Sequence, residues 1–262
     1  MRNIVAHIGG YKKLCRDIKL IKTKDEQVNL FIKYNKFYRY DRGGRNSPNF
    51  KVAQEFKKAG VNYVTLLSPH SNESIKQYYK LFGENLRVVE LDNLAASYIR
   101  QNFSSNIAIG APDGGEKYND RAQIRVKQIA KNIFDENHQD NIFYIAKTRL
   151  KKGTIFCSKF RGNVLGKDAI ILDDIIDTGN TAIAAAKYLK SHGATGVYLV
   201  AVHGVFSNGT DHLFEENIFE DIIVSDSIPN DDPRIKSINI DSLLPEEYES
   251  IAFEEEVEEY IA

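Results

Sequence analysis

Cysteine is scarce: Cys15 and Cys157 are the only two, far apart in the chain. That excludes a disulfide framework and a cysteine-built metal site, and leaves two reduced, incidental thiols. Long apolar runs are also missing. None approaches the ~20 residues that a membrane-crossing helix needs, and the first residues lack the apolar stretch of a signal peptide. The expectation is therefore a cytoplasmic protein with no membrane partner. Nor is there an excess of charge of one sign: 35 basic residues face 36 acidic ones, for a net charge of −1. No global field draws the chain to nucleic acid, and its scattered basic residues read as a solvated surface. Short-period repeats and low-complexity linkers are absent.

What is present is ordinary globular material. With 42% hydrophobic and 27% charged residues in a chain of 262, one large or two modest domains can each bury a core. The patterning alternates. Strands are expected at Asn3 to Ile8, Val61 to Leu67, Arg87 to Leu91, Ile107 to Gly110, Ile142 to Ala146, Ala169 to Leu172 and Val197 to Val202, with two more at Ile218 to Val224 and Ile235 to Ile240. Helices are expected at Asp25 to Tyr34, Phe50 to Ala59, Ser71 to Phe82, Asp92 to Gln101 and Ala122 to Phe134. Lys12 to Lys24 is basic and weakly patterned, and Pro245 to Ala262 reads as an acidic surface helix or frayed end. The alternation gives an α/β fold with mostly parallel sheets.

The stretch from Lys167 to His203 organises the rest. A short apolar strand is followed by Asp173 and Asp174, then by Asp-Thr-Gly-Asn-Thr at Asp177 to Thr181, then by an alanine-rich helix. Small residues at Thr178, Gly179, Asn180 and Thr181 let successive backbone N–H groups point into one concavity. The first helical turn adds free N–H groups and the positive end of the helix dipole. A phosphate monoester suits that position. The two acids repel phosphate and are matched instead to hydroxyls or a hard cation, and a sugar phosphate supplies hydroxyls next to its phosphate.

Other segments are open to two readings. Phe37 to Arg45 crowds Arg39, Arg42 and Arg45 among aromatics and glycines, as a polyphosphate clamp or as a solvated charged loop. His70, in Ser68-Pro69-His70-Ser71 after a strand, is a metal or phosphate ligand or a structural histidine. Pro112-Asp113-Gly114-Gly115 is a plain turn or presents Asp113 to Mg²⁺. Lys147 and Arg149 follow a strand on a segment able to move, where they neutralise charge on a transferring phosphoryl group or face solvent.

Arg39-Tyr40-Asp41-Arg42, Ser68-Pro69-His70-Ser71, Pro112 to Gly115, Lys147-Thr148-Arg149 and Asp173 to Thr181 follow one another as the motifs of the ribose-phosphate pyrophosphokinase family do, and the chain resembles that family from about Phe37 to about Pro229. The two-acid loop resembles the signature of the type I phosphoribosyltransferase fold. The resemblance implies two phosphoribosyltransferase-type domains: 1–102 on the ATP side, shortened, and 103–240 on the ribose 5-phosphate side, with 241–262 as an acidic tail and the active site between the domains. It implies ATP at Arg39, Asp41 and Arg42, Mg²⁺ at His70 and Asp113, transition-state charge at Lys147 and Arg149, and ribose 5-phosphate at Asp173, Asp174, Asp177, Thr178, Gly179, Asn180 and Thr181. The implied reaction is diphosphoryl transfer from Mg·ATP to ribose 5-phosphate by a homo-oligomer, or by a hetero-oligomer with a full-length synthetase.

The departures lie on the ATP side. Only 36 residues precede Phe37, without the Phe-x-Asp/Asn-x-Glu loop that holds adenine in family members. Tyr40 replaces the usual Gln, and Ser68 the usual Asp. Two alternatives follow: a regulatory paralogue that binds ribose 5-phosphate and joins a full-length enzyme, and a phosphoribosyltransferase acting on a nucleobase.

Overall fold

A computed structural model of the chain describes residues 1–112, 121–134, 139–149 and 155–251, with the backbone alone at 147–149, 155–159 and 249–251. It divides into two compact units, Met1–Glu90 with residues from Asp241 onward, and Leu91–Ile240. Each holds one sheet.

In the first unit the strands are β1 (Arg2–Ile8), β2 (Val28–Asn35), β3 (Tyr63–Leu67) and β4 (Leu86–Val89), joined through helices α1 (Lys12–Ile21), α2 (Pro48–Ala59) and α3 (Asn72–Phe82). All pairings are parallel and run in chain order. Right-handed crossovers that all step the same way put their helices on one face, and α2 accordingly packs on both α1 and α3. Ile4, Ile8, Leu30, Ile32, Val64 and Leu66 from the strands, with Leu14, Ile18 and Phe56 from the helices, are fully buried.

Two expectations fail here. Lys12–Ile21 is a helix whose apolar positions Leu14, Cys15 and Ile18 face inward, and Val28–Asn35 is a central strand, not a helix. Val28, Leu30, Phe31 and Ile32 are buried on both sides of the sheet, so the apolar residues between Asn29 and Lys33 run together without the alternation of a half-exposed strand. Burial pushes the Cys15 thiol up to about 12, which keeps it protonated and inert. A further strand, β12 (Glu249–Ile251), pairs in parallel with β1, where a surface helix or frayed end was expected.

The second unit is a seven-stranded sheet. Its strands are β5 (Ile107–Ala111), β6 (Ile142–Arg149), β7 (Ile155–Arg161), β8 (Asp168–Ile176), β9 (Val197–Gly204), β10 (Asp221–Ser225) and β11 (Ile235–Ile238). They lie in the order β11-β10-β9-β8-β5-β6-β7, parallel except for β7, which runs antiparallel to β6. The chain steps one way from β5 to β6 and the other way from β8 onward, so its helices fall on opposite faces. Helices α4 (Asp92–Asn102) and α5 (Arg121–Phe134) cover one face through Ala95, Ile99, Val126 and Ile129. Helix α6 (Asn180–Ser191) covers the other through Ala182, Ala185, Ala186 and Leu189.

The helix at 92–102 was expected to close the first domain, yet it groups with the second unit. Asp92 accepts from Arg125 Nε of α5 at 2.9 Å in a largely buried pair, and Asn132 bonds Asn93 at 2.9 Å.

A buried polar network shapes the carboxyl edge of the first sheet. Ser47 caps α2 and Ser71 caps α3, each accepting from the backbone N–H three residues on. The Ser47 hydroxyl also donates to Gln77 Oε1, and the Asn49 amide donates to Ser74 Oγ and Gln77 Oε1. Ser71 donates to the Asp41 carboxylate, and Gln77 Nε2 donates to the Asp41 carbonyl. Such a network stabilises only while its members stay paired.

Ser71→Ala removes a helix cap and the hydroxyl facing buried Asp41, and should lower stability by about 1–3 kcal/mol in urea denaturation. Gly110→Ala should cost a similar ~1–3 kcal/mol by the same measurement. A Cβ there would sit 2.1 Å from the Phe143 carbonyl oxygen on β6, which is backbone and cannot swing aside.

Candidate functional site

In the second unit strand order reverses between β5 and β8. Open α/β sheets bind ligands in the crevice beyond the strand ends at such a point, and the loop Asp177 to Thr181 leaves β8 there. The strand runs to Ile176, past the expected end at Leu172, and carries Asp173 and Asp174 within it. Its pleat does not hold throughout. Ala169 and Ile171 face one core and Ile170 and Leu172 the other, yet Ile176 joins the first. The alternation therefore slips across 173–175, and the two acids are not bound to opposite faces of the sheet. Both are partly exposed, and Asp173 Oδ1 accepts from the Asp174 N–H at 2.9 Å.

The loop itself turns on Gly179, with φ +70°, as the N-cap of α6. A left-handed residue there suits glycine alone. Where Ser47 and Ser71 spend their hydroxyls on the N–H groups of α2 and α3, Gly179 has no side chain to do so, and no side-chain cap bond forms on α6. Its first-turn N–H groups are left for an anion. Thr178 and Thr181 are partly exposed, Asn180 is exposed and Gly179 buried. The alanines of α6 let that helix lie close on the sheet.

Two contacts to this loop come from residues that the sequence did not single out. Ser207 donates to the Asp177 carboxylate, and His212 Nε2 lies 2.8 Å from the Thr178 carbonyl oxygen. Both partners are some thirty residues away, and neither belongs to a recognisable pattern, so only the fold brings them together.

Lys147 and Arg149 occupy the end of β6, which continues beyond the expected Ala146. Lys147 pairs with Cys157 and Arg149 with Ile155 on β7, after a register shift between Ala146 and Lys147. Part of the segment read as able to move is thus strand ladder. Asp113 lies outside the described residues.

In the first unit, Arg39 ends a 3₁₀ turn (Lys36–Arg39) after β2, and His70 follows β3. Arg39, Arg42 and His70 are exposed, while Asp41 is buried and bonded to Ser71. One hydrogen bond therefore joins the arginine segment to the histidine segment. The geometry gives Asp41 an anchoring place between the two segments. Among the described residues no group of three His, Cys, Asp or Glu side chains converges as a metal cage, and no helix is long and apolar enough to cross a membrane.

Comparison with known proteins accords with this architecture. The family model of the phosphoribosyl synthetase-associated domain matches residues 114–261. The ribose-phosphate pyrophosphokinase of Mycoplasmopsis pulmonis is 29% identical over 235 residues, 86% of this chain and 68% of that protein. The Nostoc protein of the same name is 31% identical over 229 residues, 84% of this chain and 64% of its own length. The chain thus spans about two thirds of these curated relatives. The crystal structure of phosphoribosylpyrophosphate synthetase from Mycobacterium smegmatis superposes with a TM-score of 0.74 over 92% of this chain and 78% of that one, at 22% identity, which is a likeness of fold. With its α/β architecture, its strand-order reversal and the match over 114–261, the chain belongs to the ribose-phosphate pyrophosphokinase family, of the type I phosphoribosyltransferase fold.

Proposed function

We propose that the chain transfers the diphosphoryl group of Mg·ATP to the 1-hydroxyl of ribose 5-phosphate, giving phosphoribosyl diphosphate and AMP. The observation that carries this reading is the uncapped, glycine-turned loop at Asp177 to Thr181, set directly after two partly exposed acids at a strand-order reversal. An anion site beside acceptors for hydroxyls matches a sugar phosphate, and the activity for which the relatives are named supplies the reaction class.

In this reading the N–H groups of the loop and of the first turn of α6 hold the 5-phosphate, and Asp173 and Asp174 accept from the ribose hydroxyls. The 1-hydroxyl oxygen attacks the β-phosphorus. The bond from that phosphorus to the oxygen bridging the α-phosphate breaks, AMP leaves with the bridging oxygen, and the hydroxyl proton passes to solvent. Arg39 and Arg42, exposed at the edge of the first unit, bind the ATP phosphates, and Asp41 holds their segment in place. Lys147 and Arg149 neutralise charge that grows on the transferring group.

Mg²⁺ arriving with ATP supplies charge neutralisation on the phosphates. It keeps several waters and asks little of the protein, ordinarily one or two ligands besides the substrate. His70, exposed at the end of β3, suits that limited demand, and Asp113 is proposed to share it. Assembly into a homo-oligomer, or with a full-length synthetase, belongs to the same reading.

The test is AMP formation by the purified chain from ATP, Mg²⁺ and ribose 5-phosphate. AMP should depend on the sugar phosphate and vanish in Asp174→Ala. Lys147→Ala should lower turnover by about 10²- to 10³-fold while ribose 5-phosphate still binds in calorimetry. Full turnover in Lys147→Ala would refute its role. Absence of AMP from the native chain, with sugar phosphate still bound, would replace the transferase with a binding or regulatory protein.

A further inference from the structure

The phosphate loop is held from behind by a single distant segment. Ile176 O accepts from the backbone N–H groups of Val205 and Phe206 at 2.7 and 3.2 Å. Asp177 accepts from Ser207, the Thr178 carbonyl meets His212 Nε2, and the Leu213 side chain fills the space beside Gly179. A Cβ at Gly179 would lie 2.3 Å from Leu213 Cδ2. The last residue of β8 and the first three of the loop are thus fixed by residues 205–213.

That segment is itself anchored. Arg234 donates to Asp211 Oδ1 at 2.6 Å and to Asp232 Oδ2 at 2.7 Å, and its guanidinium lies 4.4 Å from the centre of the Phe214 ring. Thr210 donates to Asp232 as well. Hydrogen bonds from Arg234 and Thr210 hold the Asp232 carboxyl well below the usual carboxylate range. Leu213 is buried.

We propose that His212 is a positioning residue for the phosphate: it holds the Thr178 carbonyl so that the Gly179 N–H of the same peptide is turned toward the bound anion. This rests on the reading of the loop as the ribose 5-phosphate site. A trans peptide directs its C=O and N–H to opposite sides, and the chain contains no cis peptide bond among its described residues. Anchoring the carbonyl toward His212 therefore sends the Gly179 N–H the other way. An amide so held donates without reorganisation when phosphate arrives. The left-handed glycine makes the anchor necessary, because without a Cβ this peptide is the easiest in the loop to rotate. A carbonyl oxygen only accepts, so the His212 ring carries hydrogen on Nε2.

The experiment measures ribose 5-phosphate affinity by calorimetry, and KM for ribose 5-phosphate and for ATP, in the native chain and in His212→Leu and His212→Gln. Loss of one hydrogen bond to the loop in His212→Leu should weaken ribose 5-phosphate about tenfold and leave KM for ATP unchanged. Gln, whose amide nitrogen reaches as far as Nε2, should restore most of it. Native affinity in a folded His212→Leu, or equal losses for both substrates, would overturn the proposal. Native chain that binds no ribose 5-phosphate removes the loop assignment, and this inference with it. Long-range ¹H–¹⁵N correlation on the native chain tests it without any variant: hydrogen on Nε2 supports the anchor, and a neutral ring with hydrogen on Nδ1 overturns it.

Discussion

A parallel strand cannot return to its neighbour through a tight turn, so each parallel pair in this chain must be joined by a crossover. The segments that leave the strand ends then gather along one edge of each sheet. In the first unit that edge receives the chain after β2, with Arg39 and Arg42, and the chain after β3, with His70. In the second it receives the two acids at the end of β8, the loop that follows, and the ends of β5 and β6. Within each unit, segments far apart in sequence come to one edge because the sheet is parallel. Where order reverses, the flanking helices lie on opposite faces and the loops diverge, which opens the crevice between β5 and β8.

Polar groups in the two units are used in opposite ways. Around Asp41 the donors and acceptors are spent on one another: Ser47, Asn49, Ser74 and Gln77 are buried, Ser71 is partly buried, and all are bonded within the network. Arg39 and Arg42 are exposed on the segment that this network holds. At Gly179 the helix cap has no side chain, and the N–H groups at the start of α6 are left for something from outside. A helix start with glycine in place of a capping side chain sacrifices only a few tenths of a kilocalorie per mole of stability. That cost is understandable where an anion completes the cap.

Much of this was legible in the residues. The loop Asp173 to Thr181 declared itself because its requirements are local: small residues for close backbone approach, a glycine for positive φ, acids just before. The alternation of strands and helices was legible for the same reason. Val28 to Asn35 was misread because a strand buried on both faces loses its two-residue period, and apolar runs of that length look alike as helix or strand. The boundary at 102 was misplaced because Asp92–Arg125 and Asn93–Asn132 are contacts between separate helices. Asp41 stood in a row of charged residues and was read with them, whereas its burial and its partners Ser71 and Gln77, thirty and more residues on, distinguish it.

The supports of the loop Asp177 to Thr181 were invisible for a related physical cause. A loop made of small residues gains close approach to its ligand and loses the side chains that would fix its own shape. Its accuracy must then be supplied by neighbours, and the sheet determines which neighbours are near. Here β9 lies beside β8, so the chain leaving β9 runs behind the chain leaving β8. Ser207, His212 and Leu213 occupy that stretch, held by Arg234 from the approach to β11. The ligand-facing half of such a site can be read as a motif, because the ligand constrains it. The supporting half answers only to the fold, and any donor that reaches the Thr178 carbonyl will serve, which is why a histidine there carries no signature in the sequence.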